Sequence, residues 1–80
     1  MESSKLYVGN INYSVTDDQL KELFSTYGTV KSVKIIEGKG FGFVEMTTSQ
    51  EAEEALESLN NNDYEGRPLK ISEARERIKR

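Results

Sequence analysis

The sequence predicts an α+β sandwich in which a four-stranded antiparallel sheet carries two helices on one face. Three observations predict this fold class. Segments with alternating apolar residues are interleaved with two segments of helical spacing, in the order βαββαβ. Both helical segments open with a capping motif, and the apolar residues of the strands fall on one side of the sheet. The chain has 80 residues, enough for one domain of this kind.

The first strand and the first helix lie in the N-terminal third of the chain. Apolar and polar residues alternate over residues 5–9, as in a half-buried strand. The helix predicted over residues 16–28 opens with the capping-box pattern Thr16-Asp-Asp-Gln19. Its apolar stripe consists of Leu20, Leu23, Phe24 and Tyr27. Gly28 follows the stripe, and we expect it to end the helix in a left-handed conformation.

Two further strands are predicted in the middle of the chain. β-Branched residues mark a strand over residues 30–36, and alternation marks another over residues 39–46. Glu37-Gly38 separates them, which predicts a tight hairpin turn. This region holds three glycines, Gly38, Gly40 and Gly42. Because no helix follows them, we interpret them as strand glycines that allow close approach, not as a phosphate-binding loop.

The C-terminal half supplies the second helix and the last strand. The helix is predicted over residues 49–60 and opens with a second capping-box pattern, Thr48-Ser-Gln-Glu51. Its apolar stripe consists of Ala52, Ala55, Leu56 and Leu59. We expect a short edge strand at Tyr64 and the last strand over residues 69–72.

The element order is that of ferredoxin-like folds, and it decides which side of each strand is buried. Both helices cover the same sheet face, so the strand residues in phase with them form the core. These are Leu6, Val8, Val33, Ile35, Val44, Met46, Leu69 and Ile71. Tyr7, Phe41 and Phe43 then stand on the uncovered face. Three adjacent aromatic residues make an exposed patch of about a few hundred Å², a size that usually marks a binding site.

The overall charge is misleading about the partner. The net charge is −3, which argues mildly against nucleic acid. The two predicted helices together carry −6, however, so the remainder of the chain carries +3. We interpret the helical acids as solvent-facing residues that complement the helix dipoles, not as a metal or catalytic cluster. Lys5, Lys34, Lys39 and Lys70 are expected around the aromatic patch. Bases could stack on its rings while these lysines bind phosphates.

The composition excludes several classes of site. The chain contains neither cysteine nor histidine, which rules out disulfides, the usual zinc sites and histidine-based catalytic triads. We therefore expect no metal and no cofactor. The apolar runs are too short for a membrane helix, and residues 5–11 are too short for a signal peptide. A cytoplasmic location is expected, or a nuclear one if the source is eukaryotic.

Two segments carry a family resemblance. Residues 39–46, Lys-Gly-Phe-Gly-Phe-Val-Glu-Met, resemble the octapeptide of the RNA recognition motif. Residues 6–11, Leu-Tyr-Val-Gly-Asn-Ile, resemble the hexapeptide on the first strand of that family. The resemblance implies a domain over residues 5–75, with a flexible segment 1–4 before it and a basic tail 76–80 after it. The chain is similar to small bacterial proteins with one such domain and to the glycine-rich group of plants.

The resemblance also implies a role for individual residues. Tyr7 and Phe43 would each stack a base of single-stranded RNA, or of single-stranded DNA, and Phe41 would pack against the sugars. Lys39 would bind a phosphate. Asn10 would contribute at the edge of the patch, and Arg75 would contribute just beyond the last strand. The other tyrosines, Tyr13, Tyr27 and Tyr64, are interpreted as edge packing. The chain departs from the family pattern at Met46, where an aromatic residue is usual, and in its short hairpin.

Two other functions that occur on this topology need residues that the chain lacks. Acylphosphatases need an arginine in the loop after the first strand, and residues 10–15 contain none. Metal-binding domains of the same topology need paired cysteines. These absences argue against an enzyme and against a metal carrier. A domain that binds a peptide through its sheet or its acidic helices stays open as the alternative. We expect a monomer that does not associate with membranes.

Overall fold

The computed structural model describes residues 3–36 and 38–74 of the chain. Its elements are β1 (Lys5–Gly9), α1 (Asp17–Ser25), β2 (Val30–Ile36), β3 (Phe41–Met46), α2 (Ser49–Leu59), β4 (Asp63–Tyr64), β5 (Arg67–Pro68) and β6 (Lys70–Glu73). Four strands form one antiparallel sheet in the order β2-β3-β1-β6, and this confirms the predicted fold class. The predicted basic tail, residues 76–80, and Arg75 lie outside the described residues.

A short ribbon between α2 and β6 was only half predicted. β4 pairs with β5 and not with the main sheet, so that the expected strand at Tyr64 has a partner at Arg67. The chain reverses at Glu65 and Gly66, which both have positive φ. Tyr64 packs against the core. Desolvation raises the pKa of its phenol, and the nearby Glu65 and Glu22 raise this pKa further.

The two helix starts differ from each other. The predicted capping box of α1 is confirmed: Thr16 Oγ1 accepts from Gln19 N at 3.2 Å, and Gln19 Oε1 accepts from Thr16 N at 2.9 Å. At α2, Thr48 Oγ1 accepts from Glu51 N at 3.1 Å. The Glu51 carboxylate instead accepts from Thr47 Oγ1 at 2.6 Å and from Thr29 N at 3.4 Å. It thereby joins the start of α2 to the loop after α1.

The prediction for Gly28 was wrong. α1 ends at Ser25, its C-cap residue Thr26 is right-handed, and Gly28 is not among the described glycines with positive φ. A Cβ atom at Gly28 would lie 2.7 Å from the Cβ of Glu51. Glycine is needed here because the loop passes close to α2, not because it terminates a helix.

The core lies between the helices and one face of the sheet, as predicted. Its buried residues are Leu6, Val8, Ile11, Val15, Leu20, Phe24, Val44, Met46, Ala52, Ala55, Leu59, Leu69 and Ile71. Val33 and Ile35 pack against this core but are only half-buried, because β2 is an edge strand. Met46, which stands where the family pattern usually has an aromatic residue, is fully buried. This departure therefore affects the packing of the core and not the open face of the sheet.

Each edge of the sheet is bonded to a helix end. On β2, the backbone N–H of Ile35 donates to Asp17 Oδ1 at 3.2 Å, from the first turn of α1. On β6, the backbone N–H of Ile71 donates to Asn60 Oδ1 at 2.8 Å, from the C-cap of α2. The two side chains anchor the helices beside the outer strands.

The hairpin between β2 and β3 is longer than predicted. Ile36 pairs with Phe41, so four residues connect the strands instead of two. Gly38 and Gly40 have φ of 78° and 74°, and this left-handed backbone keeps them and Lys39 out of the ladder. Of these three predicted strand glycines, Gly42 alone lies within a strand. A Cβ atom there would lie 2.5 Å from the carbonyl oxygen of Lys34, so glycine permits the close approach of β2.

Candidate nucleic-acid interface

Residues in register across the strands form rows on the open face of the sheet. Directly paired residues of antiparallel strands point to the same face. The central row contains Lys34, Phe43, Tyr7 and Ser72. The row nearer the loops contains Ile36, Phe41, Gly9 and Lys70. The predicted alternation of β3 is confirmed, because Phe41, Phe43 and Glu45 are half-buried while the residues between them are buried.

The three predicted aromatic residues form one continuous surface, which we call the aromatic platform (Tyr7, Phe41 and Phe43). The ring centroids of Tyr7 and Phe41 lie 5.7 Å apart, and those of Tyr7 and Phe43 lie 6.0 Å apart. Phe41 and Phe43 lie 6.1 Å apart with perpendicular planes. All three separations are within the range of favourable ring contacts. The rings therefore support one another without a covering element.

Gly9 controls the position of the Tyr7 ring, a role that was not predicted. A Cβ atom at Gly9 would lie 2.7 Å from the hydroxyl oxygen of Tyr7 and 2.9 Å from its Cε2 atom. The tyrosine ring therefore lies over the glycine on the same strand. Any larger residue at this position would push the ring away from its place beside Phe41.

The four predicted lysines differ in how free their ammonium groups are. Lys5 Nζ lies 5.5 Å from the centroid of the Phe43 ring, within the range of a cation–π contact. Lys70 Nζ donates to Asn61 Oδ1 at 3.0 Å, which ties it to the end of α2. Lys34 and Lys39 are exposed and form no ion pair with any residue in 3–36 or 38–74. Lys34 and Lys39 are thus the least constrained cations at the platform.

The one carboxylate on the platform side of β3 has a neutralising partner. Glu45 lies across from Lys5 in the strand register. Its Oε2 atom lies 3.8 Å from Lys31 Nζ. A surface ion pair of this kind adds little stability, but it reduces the negative charge that a phosphate would meet.

Asn10 acts as a connector at the end of β1. It has a left-handed φ of 59°. Its Nδ2 atom donates to the carbonyl of Pro68 at 2.7 Å, and its Oδ1 atom accepts from Arg67 Nε at 3.2 Å. Asn10 therefore holds Arg67 close to the platform. Arg67 was missed, because only the fold brings these two residues together across 57 positions of sequence.

The remaining tyrosines separate into two groups. Tyr27 and Tyr64 pack against the core, as predicted. Tyr13 is 73% exposed and is not among the described residues that pack against the core. It lies in the loop between β1 and α1.

Comparison with known proteins identifies the family. The model of the RNA recognition motif family matches residues 6–70, more than three quarters of the chain. The chain belongs to the RNA recognition motif family. The match contains both segments that carry the resemblance and all three residues of the aromatic platform.

Individual members of the family resemble the chain over most of its length. The 29 kDa ribonucleoprotein B of Nicotiana sylvestris chloroplasts is 42% identical over 84 aligned positions, which include 98% of this chain but 29% of the relative. The Nostoc sp. protein named "Putative RNA-binding protein RbpA" is 42% identical over 90% of this chain and 76% of its own. The solved structure of RNA binding protein PG1 superposes with a TM-score of 0.88 at 40% identity, covering 96% of this chain and all of that one.

Three further properties of the described residues concern metal binding, membrane crossing and the charge on the helical side of the sheet. Within 3–36 and 38–74, no group of acids is arranged to hold a metal ion. In the same part of the chain, no helix is long and apolar enough to cross a membrane. The exposed residues Glu53, Glu54 and Glu57 lie on α2, on the opposite side of the sheet from the platform. The geometry thus separates an aromatic face with lysines from an acidic helical face.

Proposed function

We propose that this domain binds single-stranded RNA on the open face of its sheet, with bases stacked on Tyr7 and Phe43. The aromatic platform carries the proposal, because its three adjoining rings lie on central strands, on the sheet face that the helices do not cover. Every base has a π-face, and a stacked base contributes about 1–3 kcal/mol. Phe41 would contact the sugars between the two bases.

The phosphates would be bound by the cations around the platform. Among residues 3–36 and 38–74, Lys34 and Lys39 have no ion pair that RNA would have to break, and Lys5 already lies against Phe43. Lys70 would have to leave Asn61 first, so we assign it a smaller contribution. Arg75, which lies outside the described residues, keeps its proposed role. The acids on α2 would repel phosphate, which favours binding on the platform side.

The biological setting is proposed from the same features. The platform can stack the bases of single-stranded DNA as well, so we expect RNA preference to come from contacts to the 2′-hydroxyl.

The family and the names of the relatives describe binding and not catalysis, and we propose that the domain is not an enzyme. Relatives occur in chloroplasts and in cyanobacteria. For this chain we propose an intracellular, cytoplasmic location and a monomeric state.

An NMR titration tests the proposal directly. Short degenerate single-stranded RNAs are added to the labelled protein, and the amide signals of Tyr7, Phe41 and Phe43 are followed. We expect these signals to shift first, while those of Glu54 and Glu57 on the acidic helix stay in place. A duplex RNA of the same composition is the control, and it should bind poorly because its bases are already stacked. Equal shifts with the duplex, or shifts confined to the helices, would contradict the proposal.

A further inference from the structure

A depression of about 270 Å³ adjoins the aromatic platform at the end where β1 and β3 meet their loops. Its lining includes Tyr7 and Phe41 of the platform together with Tyr13, Lys39 and Arg67. None of the described residues that line it is acidic. Pockets for whole drug-sized ligands begin at roughly 300 Å³, so this depression suits one smaller planar group.

Tyr13 is exposed but held in position. A Cβ atom at Gly40 would lie 2.9 Å from the Cε1 atom of Tyr13, which shows that the ring rests against this glycine. The loop that carries it is fixed on both sides. Ile11 N donates to the carbonyl of Gly40 at 2.8 Å, and Asn12 Nδ2 donates to the carbonyl of Glu65 at 3.0 Å. A fixed aromatic ring loses little entropy when a ligand stacks on it.

The two cations of the depression have donors to spare. Arg67 uses its Nε donor for Asn10, which is one of the five N–H groups of a guanidinium. Neither Arg67 nor Lys39 forms an ion pair within the described part of the chain. Two positive charges beside an exposed ring and next to the platform fit a nucleotide, whose base and phosphate need these two kinds of partner.

We propose that Tyr13, Lys39 and Arg67 form a further nucleotide subsite, which binds the residue of the RNA beyond those stacked on the platform. The inference rests on the proposed function and extends it. The base would stack on Tyr13, and the phosphate leading to it would be bound by Lys39 and Arg67.

The protein also limits how far the bound RNA can extend beyond this subsite. Tyr13 also lines a second, larger groove of about 690 Å³, which includes Asp17 and Asp18 but no lysine or arginine among its described lining residues. A phosphate would be repelled there. Tyr13 therefore borders both a cationic subsite and an acidic groove, and we expect the bound RNA to end or turn away at Tyr13.

The test compares RNAs that differ in length. One degenerate RNA of about two nucleotides fills the platform, and two others extend it at the 5′ or the 3′ end. We expect the wild-type chain to bind one of the extended RNAs more tightly than the short one. Tyr13→Ala should weaken binding of that extended RNA by roughly 5- to 150-fold, the value of one stacked base, and leave the short RNA unaffected.

Two matched variants complete the test. Tyr13→Phe keeps the ring and should keep the affinity for the extended RNA. Arg67→Gln should weaken the extended RNA and reduce its salt dependence, with the folded state checked from the amide spectrum.

The inference fails if extension brings no gain in affinity. It also fails if Tyr13→Ala weakens the short and the extended RNA equally, since Tyr13 would then only support the platform. If the wild-type chain did not bind the short RNA at all, that result would instead overturn the proposed function, and the subsite with it.

Discussion

The two faces of β3 differ although they share one backbone. Gly42, Val44 and Met46 are buried against the helices and β2, while Phe41 and Phe43 remain half-exposed on the other side. The first set finds its packing partners within the chain, and the second set finds only its own neighbours. Under the proposed function, residues next to each other in sequence would serve stability and binding separately. Substitutions on the two faces should therefore have different consequences.

The largest expected effect is on the buried side. Phe24 is the largest fully buried side chain of the core. Phe24→Ala should lower the free energy of unfolding by about 3–5 kcal/mol, because it leaves a cavity. Chemical denaturation monitored by circular dichroism measures the change. If Phe24→Ala lowered the free energy of unfolding no more than substitution of an exposed phenylalanine does, the buried and open sides would not differ in their contribution to stability.

Replacing a phenylalanine by alanine on the open face of the sheet should affect RNA binding more than stability. Phe43→Ala is expected to weaken single-stranded RNA binding by about 1–3 kcal/mol, as for one stacked base. Its effect on unfolding should be much smaller than that of Phe24→Ala, because Phe43 is only half-buried. Fluorescence anisotropy gives the affinity, and denaturation of the same sample is the control. Unchanged affinity in a folded variant would contradict the stacking role of the platform.

Gly9→Ala should displace a ring without removing it. The added methyl group would collide with the end of the Tyr7 side chain, which can swing away at little cost to folding. We expect RNA binding to weaken by about 1 kcal/mol, the lower end of the value for one stacked base. In a Tyr7→Ala background, Gly9→Ala should add nothing. An equal loss in both backgrounds would show that the methyl group acts in some other way.

The smallest effect is electrostatic. Lys39→Ala should weaken binding across all RNA sequences and reduce the slope of log affinity against log salt by about 0.7, as expected for one phosphate contact on a single strand. Lys21→Ala is the matched control, because Lys21 is exposed on α1, on the helical face. Its slope should match that of the wild type. A slope that Lys39→Ala leaves unaltered would exclude Lys39 as a phosphate ligand.

The sequence was sufficient for the fold and the platform because both follow from local periodicity. The alternation in residues 39–46 and the two apolar helical stripes leave one way to bury the core, and this orientation exposes Tyr7, Phe41 and Phe43. The pattern says nothing about contacts between loops. Tyr13 resting on Gly40, and Arg67 bonded to Asn10, arise only after the strands have brought distant segments together.

Gly28 and the hairpin show the same limit at the level of the backbone. A glycine after a helical stripe is a common helix terminator, but this one is required by a neighbouring side chain that is distant in sequence. Likewise, the apolar alternation starts at residue 39, but the strand starts only after Gly40, because Gly40 has a left-handed backbone conformation. Pattern alone could not separate these cases.

The bonds at the edges of the sheet bear on the kinds of partner that the domain can accept. Some domains capture an extended peptide as an additional strand, which needs a row of free N–H and C=O groups along an outer strand. Here the N–H of Ile35 is already used by Asp17, and the N–H of Ile71 is already used by Asn60. A peptide aligned along β2 or β6 would have to displace a helix terminus at these positions. These two bonds thus disfavour strand addition at Ile35 and at Ile71, whether the added strand is a peptide or a second copy of the chain.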